Sequence, residues 1–199
     1  MKALVVYCHP KPTSFNHAIK ELVVEKLAKK GAETRLIDLY GEGFDPALSA
    51  EDWDIYLDPD NNRTAIEAHC DALAWCGTLI FVYPTWWYGL PAMLKGWLDR
   101  VFVPGLAFHM PSPDVKDIGP GLQHINRLGV YTTAGATRWM THLVGAPGKK
   151  TMMRAVRGCC GRKCRTSFAN HYLMDTSTDE SRKAHLVKVG KKLDQLLRD

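Results

Sequence analysis

No apolar run in this chain of 199 residues approaches the ~18 that a membrane-crossing helix needs, so the sequence predicts no spanning helix. Glycine is missing between Cys8 and Lys30, which removes the G-x-G-x-x-G loop of the usual dinucleotide fold from the first helix entrance. Repeats and low-complexity segments are lacking as well. Asp58-x-Asp60-x-Asn62 imitates the start of a calcium loop, but Arg63 stands where glycine is required and His69 where glutamate is required. Cys159-Cys160-x-x-x-Cys164 has no histidine at zinc-finger spacing, and its adjacent pair strains a tetrahedral site, so these cysteines read as packing residues and no metal is expected. The net charge of +5 is modest. Its densest part, Lys149, Lys150, Arg154, Arg157, Arg162, Lys163 and Arg165, has no interleaved aromatics. It reads as a solvated face, or second as a contact for an anionic cofactor, and not as a nucleic-acid surface. Six irregularly spaced cysteines point to reduced thiols in the cytoplasm, and Met1–Tyr7 is too short for a signal peptide and reads as a first strand.

What is present is a single domain over residues 1–199, large enough to bury its own core. Apolar runs without alternation at Ala3–Cys8 and Thr78–Tyr83 read as strands buried on both faces of a parallel sheet. Thr34–Leu39, Ile125–Thr133 and Thr166–Met174 give three more. Helices are expected from Ile19 through Leu27, over Ala65–Trp75, from Pro91 to Val101, broken over Trp139–Val144 and Lys149–Val156, and over Asp179–Leu197. Five strands alternating with helices make a doubly wound α/β domain, and right-handed crossovers favour the order 2-1-3-4-5.

Three loops at carboxyl ends of strands are unusual. The first, from His9 into Asn16, is an extended helix entrance in which Thr13 or Ser14 can cap, with Lys11 nearby, and its first-turn N–H groups can hold an anion. The second carries Trp86, Trp87 and Tyr88 in succession, more aromatics than one core can take. The third, Tyr131-Thr-Thr-Ala-Gly-Ala-Thr137, is small and hydroxyl-rich, so backbone can approach a planar ligand edge.

With these loops in view the chain resembles the flavodoxin-like NAD(P)H:quinone oxidoreductases, a group that includes quinone reductase and its bacterial drug-modulator and potassium-efflux-associated relatives. The residues that carry the resemblance are His9-Pro-(x)3-Ser-Phe-Asn-His-Ala18, Tyr83-Pro-Thr-Trp-Trp-Tyr-Gly-Leu-Pro-Ala-Met-Leu-Lys-Gly-Trp-Leu-Asp-Arg-Val-Phe102 and Thr132-Thr-Ala-Gly135, and the match fades beyond Gly135. The resemblance implies that His9, Thr13, Ser14, Phe15, Asn16 and Ala18 hold flavin phosphates. It implies that Pro84, Thr85, Trp86, Trp87 and Tyr88 run along the isoalloxazine ring, that Thr132, Thr133, Ala134 and Gly135 face its other edge, and that Phe108 and Met110, with Trp87, belong to a substrate pocket completed across a homodimer. The family's quinone reductases carry a tyrosine and a histidine after the third loop that help stabilise the reduced flavin. A gapless reading puts Met140 and Ala146 there, and Tyr131 and His142 are the substitutes at hand.

The function so implied is two-electron, ping-pong transfer of hydride from NADPH or NADH through flavin to a quinone-type acceptor, with FAD as cofactor and FMN as the alternative. The basic run from Lys149 to Arg157 leans toward NADPH. Exposed Trp86, Trp87, Tyr88 and Phe108 would form an apolar patch that a two-fold dimer covers. Competing readings keep the same site: a nitro- or azo-reductase, a regulatory flavoprotein bound to a membrane transport system, or an electron-carrier flavodoxin, which the basic charge disfavours.

Overall fold

A computed structural model describes residues 1–198. In chain order it contains β1 (Lys2–Tyr7), α1 (Phe15–Lys29), β2 (Glu33–Asp38), α2 (Ala50–Asp54), α3 (Glu67–Trp75), β3 (Thr78–Thr85), α4 (Ala92–Val101), β4 (Phe108–His109), β5 (Gly119–Pro120) and β6 (Arg127–Ala134). It continues through α5 (Arg138–Leu143), α6 (Pro147–Lys150), a π-helical turn (Thr151–Val156), α7 (Arg157–Cys159), β7 (Arg165–His171) and α8 (Asp179–Leu196). β2-β1-β3-β6-β7 form one parallel sheet. Counting sheet strands alone, this is the 2-1-3-4-5 order that the crossover rule favours, with β2 and β7 as edges.

The non-alternating strands are buried on both sides, as expected. Leu4, Val6, Leu79, Phe81 and Val130 face α3 and α4, whereas Ala3, Val5, Ile80, Val82 and Tyr131 face α1 and α8. Each Leu, Val or Phe so buried contributes about 1.5–3 kcal/mol before the entropy of ordering it. Helix α1 is capped by Ser14, whose Oγ accepts from the His17 N–H at 3.1 Å, and closes before Gly31 at φ 66°. Helix α4 lies so close to the chain at Pro46 that a Cβ on Gly96 would sit 2.1 Å from the Pro46 oxygen. Trp97 of the same helix donates its Nε1–H to His69 Nδ1 at 3.3 Å.

Three features differ from the sequence expectation. The polar stretch after β2 holds a helical turn, α2, closed by a capping box between Ser49 and Asp52. The proline-rich segment after α4 is a strap pinned by the antiparallel pair β4–β5. The last strand stops at His171, not Met174, because Leu173 takes a left-handed backbone, φ 55°.

Candidate functional site

The register pairs Tyr7 with Val82 and Val82 with Tyr131, so the peptides leaving β1, β3 and β6 emerge side by side. Between them lies a cleft of about 750 Å³. Its position, at the carboxyl ends of the strands where α1 and α4 depart to opposite faces, is the switch point at which open α/β sheets bind ligands.

One wall is the entrance to α1. Asn16 is buried; its Nδ2 donates to Thr133 Oγ1 at 3.0 Å, and its Oδ1 has no partner. The N–H groups of Phe15 and Asn16 find no acceptor among the described residues, which leaves the positive end of a helix open to the cleft. Phe15 is held from behind by His171 and His185, whose ring centres lie 5.5 and 5.9 Å away. Burial, and secondarily the Lys11 ammonium, hold His9 below the usual histidine value, and the Lys11 N–H donates to its Nδ1 at 3.0 Å. The neutral ring therefore carries its proton on Nε2 as a donor.

The opposite wall is a strained turn. Trp86 pairs with Gly89, whose N–H donates to the Trp86 oxygen at 2.9 Å, and φ is 48° at Trp87 and 62° at Tyr88. Two successive left-handed residues inside such a bond mark a type I′ turn, which ordinarily calls for Asn and Gly. Each side chain held there costs about 1–2 kcal/mol, and backbone strain of this kind collects at functional sites. The turn leaves Trp87 96% exposed and tucks Tyr88 back. The Gly148 N–H props it by donating to the Tyr88 oxygen at 3.2 Å, and a Cβ on Gly148 would press on Gly89 at 3.2 Å.

The floor comes from β6. Thr133, Ala134 and Gly135 line the cleft, and Thr132 lies behind it, bonded to Thr85 between hydroxyls at 2.9 Å. Because β7 ends early, the next loop folds back and adds Met174 and Asp175, with the Leu173 N–H donating to the Ala136 oxygen at 3.3 Å. A Cβ on Gly135 would meet Asp175 Oδ2 at 2.6 Å, so a side chain there would push that exposed carboxylate aside.

Of the residues singled out from the sequence, His9, Phe15, Asn16, Pro84, Thr85, Trp86, Trp87, Tyr88, Thr133, Ala134 and Gly135 line this one cleft. Thr13, Ser14 and Ala18 stand around the helix entrance without lining it, and Ser14 Oγ is taken up by the cap. Phe108 is half-buried on the strap and Met110 is exposed; neither borders the cleft of its own chain. Tyr131 and His142 do not reach it. Tyr131 points to the opposite face of β6, where burial raises its pKa and its hydroxyl donates to Ser167 Oγ at 3.2 Å. His142 is exposed and borders a separate hollow with Lys149, Lys150 and Arg154. The titratable side chains that do line the cleft are His9, Tyr88 and Asp175.

The family described as "Flavodoxin-like fold" matches residues 1–197. NAD(P)H dehydrogenase [quinone] 1 of Cavia porcellus is 36% identical over 167 residues, 74% of this chain and 58% of that protein. Its counterpart in Rattus norvegicus is 36% identical over 151 residues, 68% of this chain and 54% of that protein. The chain thus spans a little over half the length of these curated relatives. Among solved structures, Smu.1420 from Streptococcus mutans UA159 superposes with a TM-score of 0.83 at 30% identity, covering 98% of this chain and 100% of that one. An NAD(P)H:quinone oxidoreductase from Methanothermobacter marburgensis shares the fold, with a TM-score of 0.78 at 23% identity over 100% of this chain and 97% of that one. Sheet order, switch-point cleft and a match along nearly the whole chain agree: the protein belongs to the flavodoxin-like fold family.

Proposed function

We propose that the chain is a flavin-dependent NAD(P)H oxidoreductase that passes two electrons to a quinone-type acceptor. The carrying observation is the meeting of the α1 entrance, the aromatic turn and the small-residue floor in one open cleft. These residues fit a flavin. An unpartnered amide oxygen on Asn16, free N–H groups at a helix N-terminus and a floor of small residues at Ala134 and Gly135 are features of a site shaped for a phosphate-bearing, flat group.

A bound flavin would accept hydride from the nicotinamide and return it to the acceptor. The chain supplies binding and orientation. The N–H groups of Phe15 and Asn16 hold the phosphate, with the dipole of α1 behind them. Asn16 fixes the α1 entrance to the floor through Thr133. Trp86, Trp87 and Tyr88 offer aromatic faces on which planar substrates stack. His9 Nε2–H is a neutral donor at the rim. Asp175 accepts hydrogen bonds from hydroxyls of a sugar-bearing cofactor, and Phe15-Asn16, by their resemblance to the FAD-binding members of the family, favour FAD over FMN. Lys149, Lys150 and Arg154, gathered behind the aromatic turn, favour NADPH through its additional phosphate.

The exposed Trp86 and Trp87, with Met110 on the strap, support a homodimer in which the strap of one protomer closes the cleft of the other. Six free thiols support a cytoplasmic setting. The test is anaerobic stopped-flow mixing of the flavin-loaded protein with NADPH or NADH and then with a benzoquinone. Rapid bleaching of the flavin band by the nucleotide and rapid return with the quinone are expected. A bound flavin that neither nucleotide bleaches would instead favour a regulatory or carrier role, and failure to bind flavin would overturn the assignment of the cleft.

A further inference from the structure

Charge is divided unevenly along the chain. Residues 118–174 hold nine Lys and Arg and no Asp or Glu, so they carry +9, while the remaining 17 Lys and Arg against 21 Asp and Glu leave the rest at −4. Seven of the nine are exposed, and none of the seven is in an ion pair among the described residues. A field of one sign suits an anionic partner. Helix α5 sets apolar side chains into this field. It leaves the cleft floor directly, since Gly135 and Ala136 line the cleft and the helix begins at Arg138. Thr141 is its buried side, with Oγ1 donating to the Thr137 oxygen at 2.9 Å. Two rows, each one turn apart, look outward. Trp139 and Leu143, 68% and 65% exposed, form an apolar row that Val144 extends, and Arg138 and His142 lie beside it. Lys149, Lys150 and Arg154 share a hollow with His142, which brings three more cations to the same place. Contiguous apolar side chains on an outward face, rimmed by charge, mark a contact site.

We infer that α5 docks the protein on an anionic phospholipid bilayer, with Trp139, Leu143 and Val144 in the headgroup boundary and the surrounding Lys and Arg against lipid phosphates. An indole suits that boundary, because its ring is apolar and its N–H meets water. Each cation near a negative leaflet adds to the attraction. A second copy is not the occupant: a two-fold contact would lay this face on itself and set cations against cations. Duplex nucleic acid would engage the cations and leave the apolar row unused. Since α5 springs from the cleft floor, docking holds the cleft rim at the membrane, where acceptors dissolved in lipid enter from the bilayer. That consequence, unlike the docking, rests on the proposed quinone reduction.

Gradient flotation of the full-length protein with lipid vesicles tests the docking without any turnover. At about 0.1 M salt the protein should float with vesicles of equal phosphatidylglycerol and phosphatidylcholine and stay below with phosphatidylcholine alone, and about 1 M salt, which screens charges beyond roughly 3 Å, should release most of it. Trp139→Ser combined with Leu143→Ser should lower the affinity for the anionic vesicles about 10-fold or more, and Arg138→Glu combined with Lys150→Glu should do the same through charge. All four positions are exposed, so unchanged thermal melts separate lost binding from lost fold. Failure to float on anionic vesicles, whether or not the protein retains duplex DNA, equal flotation on neutral ones, or unaltered flotation of the double serine variant would each overturn the docking. Flavin binding and reduction are read separately by the stopped-flow mixing, so the two proposals fail independently.

Discussion

Asn16 and Thr133 are joined across the cleft, Asn16 Nδ2 donating to Thr133 Oγ1 at 3.0 Å, so the entrance of α1 is set against the end of β6 by one side-chain bond. The other half of the same amide, Oδ1, is buried without a partner. A buried unsatisfied acceptor costs about 1–3 kcal/mol, and a ligand that donates to it recovers that cost. Asn16→Ala is therefore expected to weaken flavin binding about 10-fold or more, read as the quenching of flavin fluorescence on titration. An unchanged dissociation constant would remove Asn16 from the cofactor site.

The aromatic turn sets stability against function. Trp87 occupies a left-handed position, φ 48°, while almost wholly exposed, so its ring contributes little burial in return for the strain. Trp87→Asn relieves about 1 kcal/mol and should raise the melting temperature by roughly 2–4 °C, while quinone turnover falls through a higher KM. Thermal melts and steady-state kinetics on one preparation check both halves; a lower melting temperature would mean that the turn is not strained at Trp87.

Acid should loosen the site from behind. Burial first, then the charges of His171 and Lys188, push His185 from its ordinary 6.5 down to about 4, and burial likewise lowers His171. Between those values the unfolded chain binds protons that the fold refuses. Stability is then complete above pH 6.5 and declines as pH falls toward 4, by about 3 kcal/mol for His185 alone. Replacing the histidine by a residue without a proton to gain, His185→Leu, should flatten the fall in melting temperature between pH 7 and pH 4.5. Parallel curves for the two proteins would place the acid sensitivity elsewhere.

Gly96 tests the packing that carries the aromatic turn into α4. Its missing side chain is replaced by the backbone of Pro46, with the oxygen 2.1 Å from where a Cβ would sit. Since backbone cannot swing aside as a flexible side chain can, Gly96→Ala should destabilise by about 1–3 kcal/mol, despite the better helix propensity of alanine. Urea denaturation measures it, and a stabilised variant would contradict the close approach.

The central strands were legible because a parallel sheet covered on both faces demands uninterrupted apolar runs, and Ala3–Cys8 and Thr78–Tyr83 satisfy that demand. The same property hides parity. In a strand that is apolar on both sides, nothing in the sequence tells which of Tyr131 and Thr132 turns toward α8, and the structure turns Tyr131 there. Tyr172-Leu-Met174 continues the apolar pattern of the last strand, so the left-handed Leu173 and the Asp175 it delivers to the cleft carried no local signal. The α2 turn and the β4–β5 pair were missed because short elements in polar or proline-rich stretches owe their form to what they pack against. The aromatic turn was visible by composition, three rings in a row, whereas its type I′ geometry goes against the residues that such turns prefer.

The sheet order leaves β2 as an open edge, and its outward residues bear on the fate of the chain at high concentration. Glu33, Arg35 and Leu36 are exposed there, and Arg35 is drawn down over the Trp75 ring at 4.2 Å. Unpaired N–H and C=O groups along such an edge invite a second strand, and alternating charges of opposite sign are a common guard against it. Leu36, between Arg35 and Ile37, is the gap in that guard. Aggregation of this protein on overexpression would start at this edge, and a lysine in place of Leu36 closes it without touching the cleft at the other end of the strands.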